Sequence, residues 1–267
     1  RIIAMEHAYA LEVTKTKDTT ISVEEVVAQQ DHPSDEQIQG LLSVLKKYPK
    51  LFDGLLGRYP KRKFHIKLKD DAVPYHVKGP HSVPAVNMPV LKTEIKRQEN
   101  IGILQRVGES KWGMLMMVIP KKDGAIRAIY DFCMLNKQLK CKCYPLPKIQ
   151  DIFHRRSSNK LALILNLTLC YYTYELDEDF SWLCVLVTSF GKYRCKRLHM
   201  GPLQSPDWAQ AALEEVFIEA GLLRECVEAY IENVGVFSNS WEDHLNHLDS
   251  TLACLQENGY TINPAKC

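Results

Sequence analysis

Three polar positions in this chain sit where apolar stretches stop. Asn166 follows Leu161-Ala-Leu-Ile-Leu165, and Glu232-Asn233 interrupts Ala229-Tyr-Ile-Glu-Asn-Val-Gly-Val-Phe237. A polar pair between two apolar runs reads as the turn of a β-hairpin. A hairpin that shows a carboxylate at its tip, beside a second strand end, can also hold a divalent cation. Phosphoryl transfer uses sites of that kind. It needs charge compensation, in-line geometry and usually two metal ions about 3.5–4 Å apart. Magnesium prefers hard oxygen ligands in near-octahedral geometry, which short anionic aspartates supply best. Here the three places hold one carboxylate, Glu232, and two neutral amides, Asn166 and Asn233. An amide oxygen can ligate a metal, but only as a dipole.

The elements that must position these residues are legible in the spacing. Ser34-Asp-Glu-Gln37 after Pro33 is a capping box. It predicts a helix carrying Ile38, Leu41, Leu42, Leu45 and Tyr48. Phe64-His-Ile-Lys-Leu68 alternates as a strand does. Pro89 is placed to open a helix that Gly102 ends. Met114–Ile119 and Ala125–Tyr130 read as a hairpin closed by Lys121-Lys-Asp-Gly124, since Asp-Gly suits positive backbone angles. A short helix is expected over Leu146–His154, and Leu161–Leu165 as a buried strand. Two strands follow, Cys184–Thr188 and Tyr193–Leu198. A helix is expected over Ser205–Glu219, then the quoted hairpin, and a last helix from Ser240 to just before Gly259. Consecutive strands joined by tight turns argue for an α+β fold with a mainly antiparallel sheet packed on helices. Residues 1 to about 30 are polar and weakly periodic, and read as a linker or frayed end.

The bulk numbers exclude several classes. With 267 residues, 46% hydrophobic and 25% charged, the chain has the composition of a soluble globular protein. No apolar run approaches the roughly 20 residues that span a bilayer, and the N-terminal stretch lacks the order of a signal peptide. The chain is therefore expected to be intracellular, cytoplasmic or nuclear, with no membrane partner. Arg1 is not an initiator Met, so the chain reads as part of a longer product. Nine scattered cysteines suggest reduced thiols rather than a disulfide framework. Cys141-Lys-Cys143 lacks zinc-pair spacing. A net charge of +2 does not itself point to nucleic acid. The crowd Lys46-Lys47, Lys50, Arg58, Lys61-Arg62-Lys63, Lys67 and Lys69 reads equally as a solvated face or a phosphate-binding one.

Ordered blocks from about Phe64 to the C-terminus carry a resemblance. Val118-Ile-Pro-Lys-Lys-Asp-Gly124 with Arg127, Asp131-Phe-Cys-Met-Leu-Asn-Lys137, Tyr144-Pro-Leu-Pro-Lys-Ile149, Leu165-Asn-Leu-Thr-Leu-Cys-Tyr-Tyr172, Leu198-His-Met-Gly-Pro-Leu-Gln-Ser-Pro206, Tyr230-Ile-Glu-Asn233 and His244-Leu-Asn-His247 occur in that order. Together they resemble the reverse transcriptase domain of a gypsy-type LTR retrotransposon pol polyprotein. The resemblance implies a fingers and palm architecture, with fingers over 61–140 and 174–204 and palm over 141–173 and 205–267. Residues 1–60 would be a linker and helix before them. The thumb and ribonuclease H domain come later in the family and lie outside this chain. It also implies magnesium, a deoxynucleoside triphosphate, an RNA or DNA template-primer, and other parts of a pol polyprotein as partners. Lys121 and Arg127 would hold the triphosphate, a role suited to fixed positive charge. Tyr171 would lie beneath the sugar, and Met200 near the incoming base.

By the same resemblance, Asn166, Glu232 and Asn233 fall on the family's three metal-binding aspartates. Cys133 and Met134 replace the usual Arg and Glu, His199 replaces a Pro, and Pro202 stands where Leu is usual. Two unit charges are missing from the metal site. The expectation is a copy with the ancestry of an RNA-directed DNA polymerase and no catalysis. The alternative is a retained pseudo-polymerase domain that binds nucleic acid or a partner.

Overall fold

The structure, a computed structural model, describes residues 23–28, 33–120, 126–140 and 144–267. Its elements are α1 (Val23–Ala28), α2 (Asp35–Leu45), α3 (Met88–Asn100), β1 (Leu104–Val107), β2 (Met114–Pro120), β3 (Ile126–Tyr130), α4 (Cys133–Gln138), α5 (Ile149–Arg156), β4 (Leu161–Asn166), α6 (Glu178–Leu183), β5 (Val185–Thr188), β6 (Gly191–Cys195), α7 (Ser205–Glu219), β7 (Val227–Tyr230), β8 (Asn233–Ser238) and α8 (Trp241–Glu257). They form an α+β fold in two compact units. One unit contains residues 62–140 and 174–206, and the other 23–61, 144–173 and 207–267, within the described positions.

The first unit is built on a five-stranded sheet of order β1-β6-β5-β2-β3. All its pairings are antiparallel except β2 with β5, which is parallel. α3 opens with Pro89 in its first turn, where a missing N–H costs nothing, and Gly102 follows its end at φ +75°. β2 and β3 pair as the expected hairpin does; residues 121–125, where its turn and Lys121 were expected, lie outside the described residues. Phe64–Leu68 is not a strand. Phe64 bridges Leu176 and Leu68 bridges Leu139, so the segment is shared between two neighbours and forms no ladder with either. Its period-two burial is kept: Phe64 and Ile66 are buried, His65 and Lys67 exposed.

The second unit carries the antiparallel sheet β4-β8-β7. α8 packs on β8, and α2 packs on α8. Val234, Val236, Leu248 and Leu252 are fully buried at that interface, and Leu213 and Phe217 of α7 are equally buried. Each such side chain contributes about 1.5–3 kcal/mol by leaving water. Ser34 caps α2 through a complete capping box with Gln37, and Ser240 caps α8 by accepting from the Asp243 N–H. Two expectations are corrected here. Residues 23–28, read as linker, form α1. β4 is fully buried only at its end, at Leu165 and Asn166; Ala162 and Ile164, two residues apart and so on one face of the strand, are exposed.

Candidate functional site

The residues of interest lie where β4 and β8 end together. Asn166 is the register partner of Asn233, and the Asn166 Nδ2 donates to Asn233 Oδ1 at 3.2 Å. One step further, the Leu167 N–H donates to the Glu232 carbonyl at 2.8 Å. Asn166 turns its own backbone the other way. Its carbonyl accepts from Asn263 N–H at 2.8 Å, and its N–H reaches Cys267 Sγ at 3.4 Å. Asn166 is buried, whereas Glu232 is partly exposed. Asn233 begins β8, so the turn itself is Ile231-Glu232 rather than Glu232-Asn233.

The turn is strained. Ile231 adopts φ +55°, where a β-branched residue is a true outlier. A fully buried side chain from α7 holds it there. Gln210 Oε1 accepts from the Ile231 N–H at 2.7 Å. Gln210 Nε2 donates to the Ala229 carbonyl at 2.8 Å and to Glu214 Oε1 at 2.8 Å. Glu214 also accepts from the Tyr144 hydroxyl. Burial, reinforced by that carboxylate, pushes the Tyr144 hydroxyl up to about 12. Tyr144, Glu214 and Gln210 thus form a chain of polar contacts ending on the hairpin. None of it was read from the sequence. The available signal was a glutamine on the apolar face of an otherwise amphipathic helix.

Chemically, the strand ends offer one carboxylate and two carboxamides. One amide oxygen is committed to the Asn166–Asn233 bond whichever way the amides are turned. Among the described residues, no three of His, Cys, Asp and Glu gather into a group that could hold a metal ion.

The other expected site residues are dispersed between the units. Tyr171 is in the second unit, buried in the 3₁₀ turn Cys170–Thr173 that follows β4. Met200 is in the first unit and half-buried. Its segment is pinned by Asn136, whose Nδ2 donates to the Gly201 carbonyl and whose Oδ1 accepts from the Leu203 N–H, both at 2.9 Å. Gly201, at φ +141°, admits no side chain: a Cβ would lie 2.3 Å from the Phe132 ring. Arg127 pairs with Ile119 through the β2–β3 ladder. Lys121 lies outside the described residues, as do Cys141 and Cys143.

The basic crowd near residues 46–69 is partly neutralised. Lys46 pairs with Glu24 at 3.2 Å, Lys47 with Asp249 at 3.0 Å and Lys63 with Glu175 at 3.6 Å, while Lys61 pairs with Glu219. His244 and His247 both turn Nδ1 to the Ser238 hydroxyl, at 3.2 and 2.8 Å, and so dock α8 on β8.

Comparison with known proteins matches residues 119–267 to a family described as reverse transcriptase (RNA-dependent DNA polymerase). A Caenorhabditis elegans protein, K02A2.6, is 29% identical over 245 residues, covering 90% of this chain and 19% of that protein. The Transposon Tf2-3 polyprotein of Schizosaccharomyces pombe is 23% identical over 222 residues, covering 83% of this chain and 16% of the polyprotein. The chain thus spans less than a fifth of the length of these relatives. Among solved structures, a foamy viral protease-reverse transcriptase in complex with double-stranded DNA superposes with a TM-score of 0.81 at 18% identity, over 96% of this chain and 44% of that one. The same viral enzyme with an RNA/DNA hybrid gives 0.81 at 17% identity, over 97% and 33%. These likenesses establish the fold, that of reverse transcriptase fingers and palm.

Proposed function

Because the chain belongs to the reverse transcriptase (RNA-dependent DNA polymerase) family, we propose that it is the fingers and palm of a gypsy-type retrotransposon pol product that no longer synthesises DNA. In this reading the unit of 62–140 and 174–206 is the fingers and the unit with β4, β7 and β8 the palm. Lys121, Arg127, Tyr171 and Met200 mark the ancestral nucleotide site. The polyprotein relative in fission yeast supports a longer parent product, acting inside the cell on a template-primer.

The observation that carries the proposal is the amide contact between Asn166 and Asn233, with Glu232 the single anionic side chain of the three. Magnesium, which the resemblance implies at these positions, is poorly matched by that donor set. Two dications and an attacking hydroxyl need compensating anionic charge, and two of the three charges are gone. Each 1.4 kcal/mol lost from the transition state costs about a factor of ten in rate, so losing several kcal/mol ends useful polymerisation.

Primer extension on a poly(rA)–oligo(dT) substrate, with dTTP and either magnesium or manganese, tests this reading. The expected result is incorporation no higher than in a blank preparation. A chain reverted at all three positions (N166D, E232D and N233D) serves as the comparison. Template-dependent synthesis by the unreverted chain would overturn the proposal.

A further inference from the structure

We infer that Asn166 and Asn233 form a strand clasp that makes the β4–β8 end independent of divalent cations. Three features of this chain carry the inference. The two residues are directly opposed across the ladder. Their amides meet at 3.2 Å, donor to acceptor. The backbone of Asn166 is fixed on its far side by Asn263 and Cys267, and its side chain is buried. A neutral amide can be both donor and acceptor; a carboxylate is acceptor-only. Two carboxylates opposed at this register would repel, as like charges across a strand pair do, and Glu232 at the adjoining turn would add a third. Such a site would close at an electrostatic cost that a bound cation would relieve. With amides the strands close on each other, and the ion has no part in holding them. The inference stands on this geometry and not on whether the chain polymerises.

Thermal unfolding of the 267-residue chain tests it, with and without 10 mM magnesium chloride or 1 mM manganese chloride, alongside a manganese titration followed by electron paramagnetic resonance. The native chain is expected to melt at the same temperature in all three buffers and to show no saturable manganese site that Glu232→Gln removes. The N166D/N233D chain should melt about 3–8 °C lower without cation, given the few degrees per unit of stability typical at this size. It should recover most of that loss when manganese is added. Asn233→Ala removes the clasp without adding charge. It should melt lower too, with no recovery on adding cation, which separates charge repulsion from the lost hydrogen bond. A cation-dependent rise in the native chain would overturn the inference. So would an N166D/N233D chain as stable as the native one without metal, or one that manganese does not rescue. Primer extension by the native chain would sink the loss of function while leaving the clasp to be judged by these melts.

Discussion

Gln210 offers the most direct way to perturb the hairpin tip from a distance. Gln210→Met keeps the volume of the side chain and removes its hydrogen bonds. Three are lost: from the Ile231 N–H at 2.7 Å, to the Ala229 carbonyl at 2.8 Å and to Glu214 at 2.8 Å. Each is worth about 0.5–1.5 kcal/mol net, and a buried group left unpaired costs about 1–3 kcal/mol. Ala229 is buried, so its carbonyl bears that penalty, whereas partly exposed Ile231 can reach water. The left-handed Ile231 stores about 1–3 kcal/mol of strain, some of which is released when the bracket goes. The balance is a loss of about 3 kcal/mol, or roughly 6–12 °C in melting temperature for a chain of this size. Urea denaturation followed by tryptophan fluorescence would measure it, and the position of Trp208 two residues away makes the signal local as well as global. Ile231→Gly removes the strain because glycine accepts positive φ freely. It should therefore change stability differently in the native and Gln210→Met backgrounds. A Gln210→Met cost below about 0.5 kcal/mol, or identical Ile231→Gly effects in both backgrounds, would refute the idea that Gln210 holds the turn.

Two further outcomes follow from buried charge. Glu228 on β7 is buried and takes both Arg155, at 3.2 and 2.9 Å, and Arg156, at 3.0 Å. Glu228→Ala leaves the largely buried Arg156 without its carboxylate and is expected to cost about 3 kcal/mol in urea denaturation, since breaking a buried pair costs more than the pair contributes. His199 is buried against the Tyr130 ring, centroids 5.0 Å apart, and desolvation lowers its pKa from 6.5 to about 4. The unfolded chain therefore takes up this proton first as the pH falls. The contribution is complete above pH 6.5 and is lost progressively down to about pH 4, by about 3 kcal/mol at most. His199→Phe keeps a ring against Tyr130 and should flatten the stability profile across that window; an unchanged slope would show that another group governs it.

What was legible in the sequence was local. Capping at Ser34 and Ser240, the proline and glycine bounding α3, and the apolar runs of β2, β7 and β8 all write their signals within a few residues, and the structure repeats them. Alternation misled at Phe64–Leu68, because it reports burial on one side and not a partner strand. At the candidate site, the convergence of Asn166 with Glu232-Asn233 was expected from two strand ends, and the register places Asn166 opposite Asn233. The conformation of the turn was illegible. Ile231 is a residue that sequence rules would keep out of a left-handed turn, and the reason it stays there sits 21 positions earlier, on α7. A lone glutamine on a helix face has no periodic signature, and only its three-dimensional partners distinguish it from a tolerated polar residue. The amide pair belongs to the same category. Read as a string, asparagines at positions where the resemblance implies aspartate are only lost charge. Placed across a ladder, they are also a gained hydrogen bond, because the proton an amide brings is the one that two opposed carboxylates lack. In the function proposed above, asparagines at these positions lower the charge available to a cation and also the repulsion that opposed carboxylates would impose on β4 and β8, so the two strand ends stay paired through their amides.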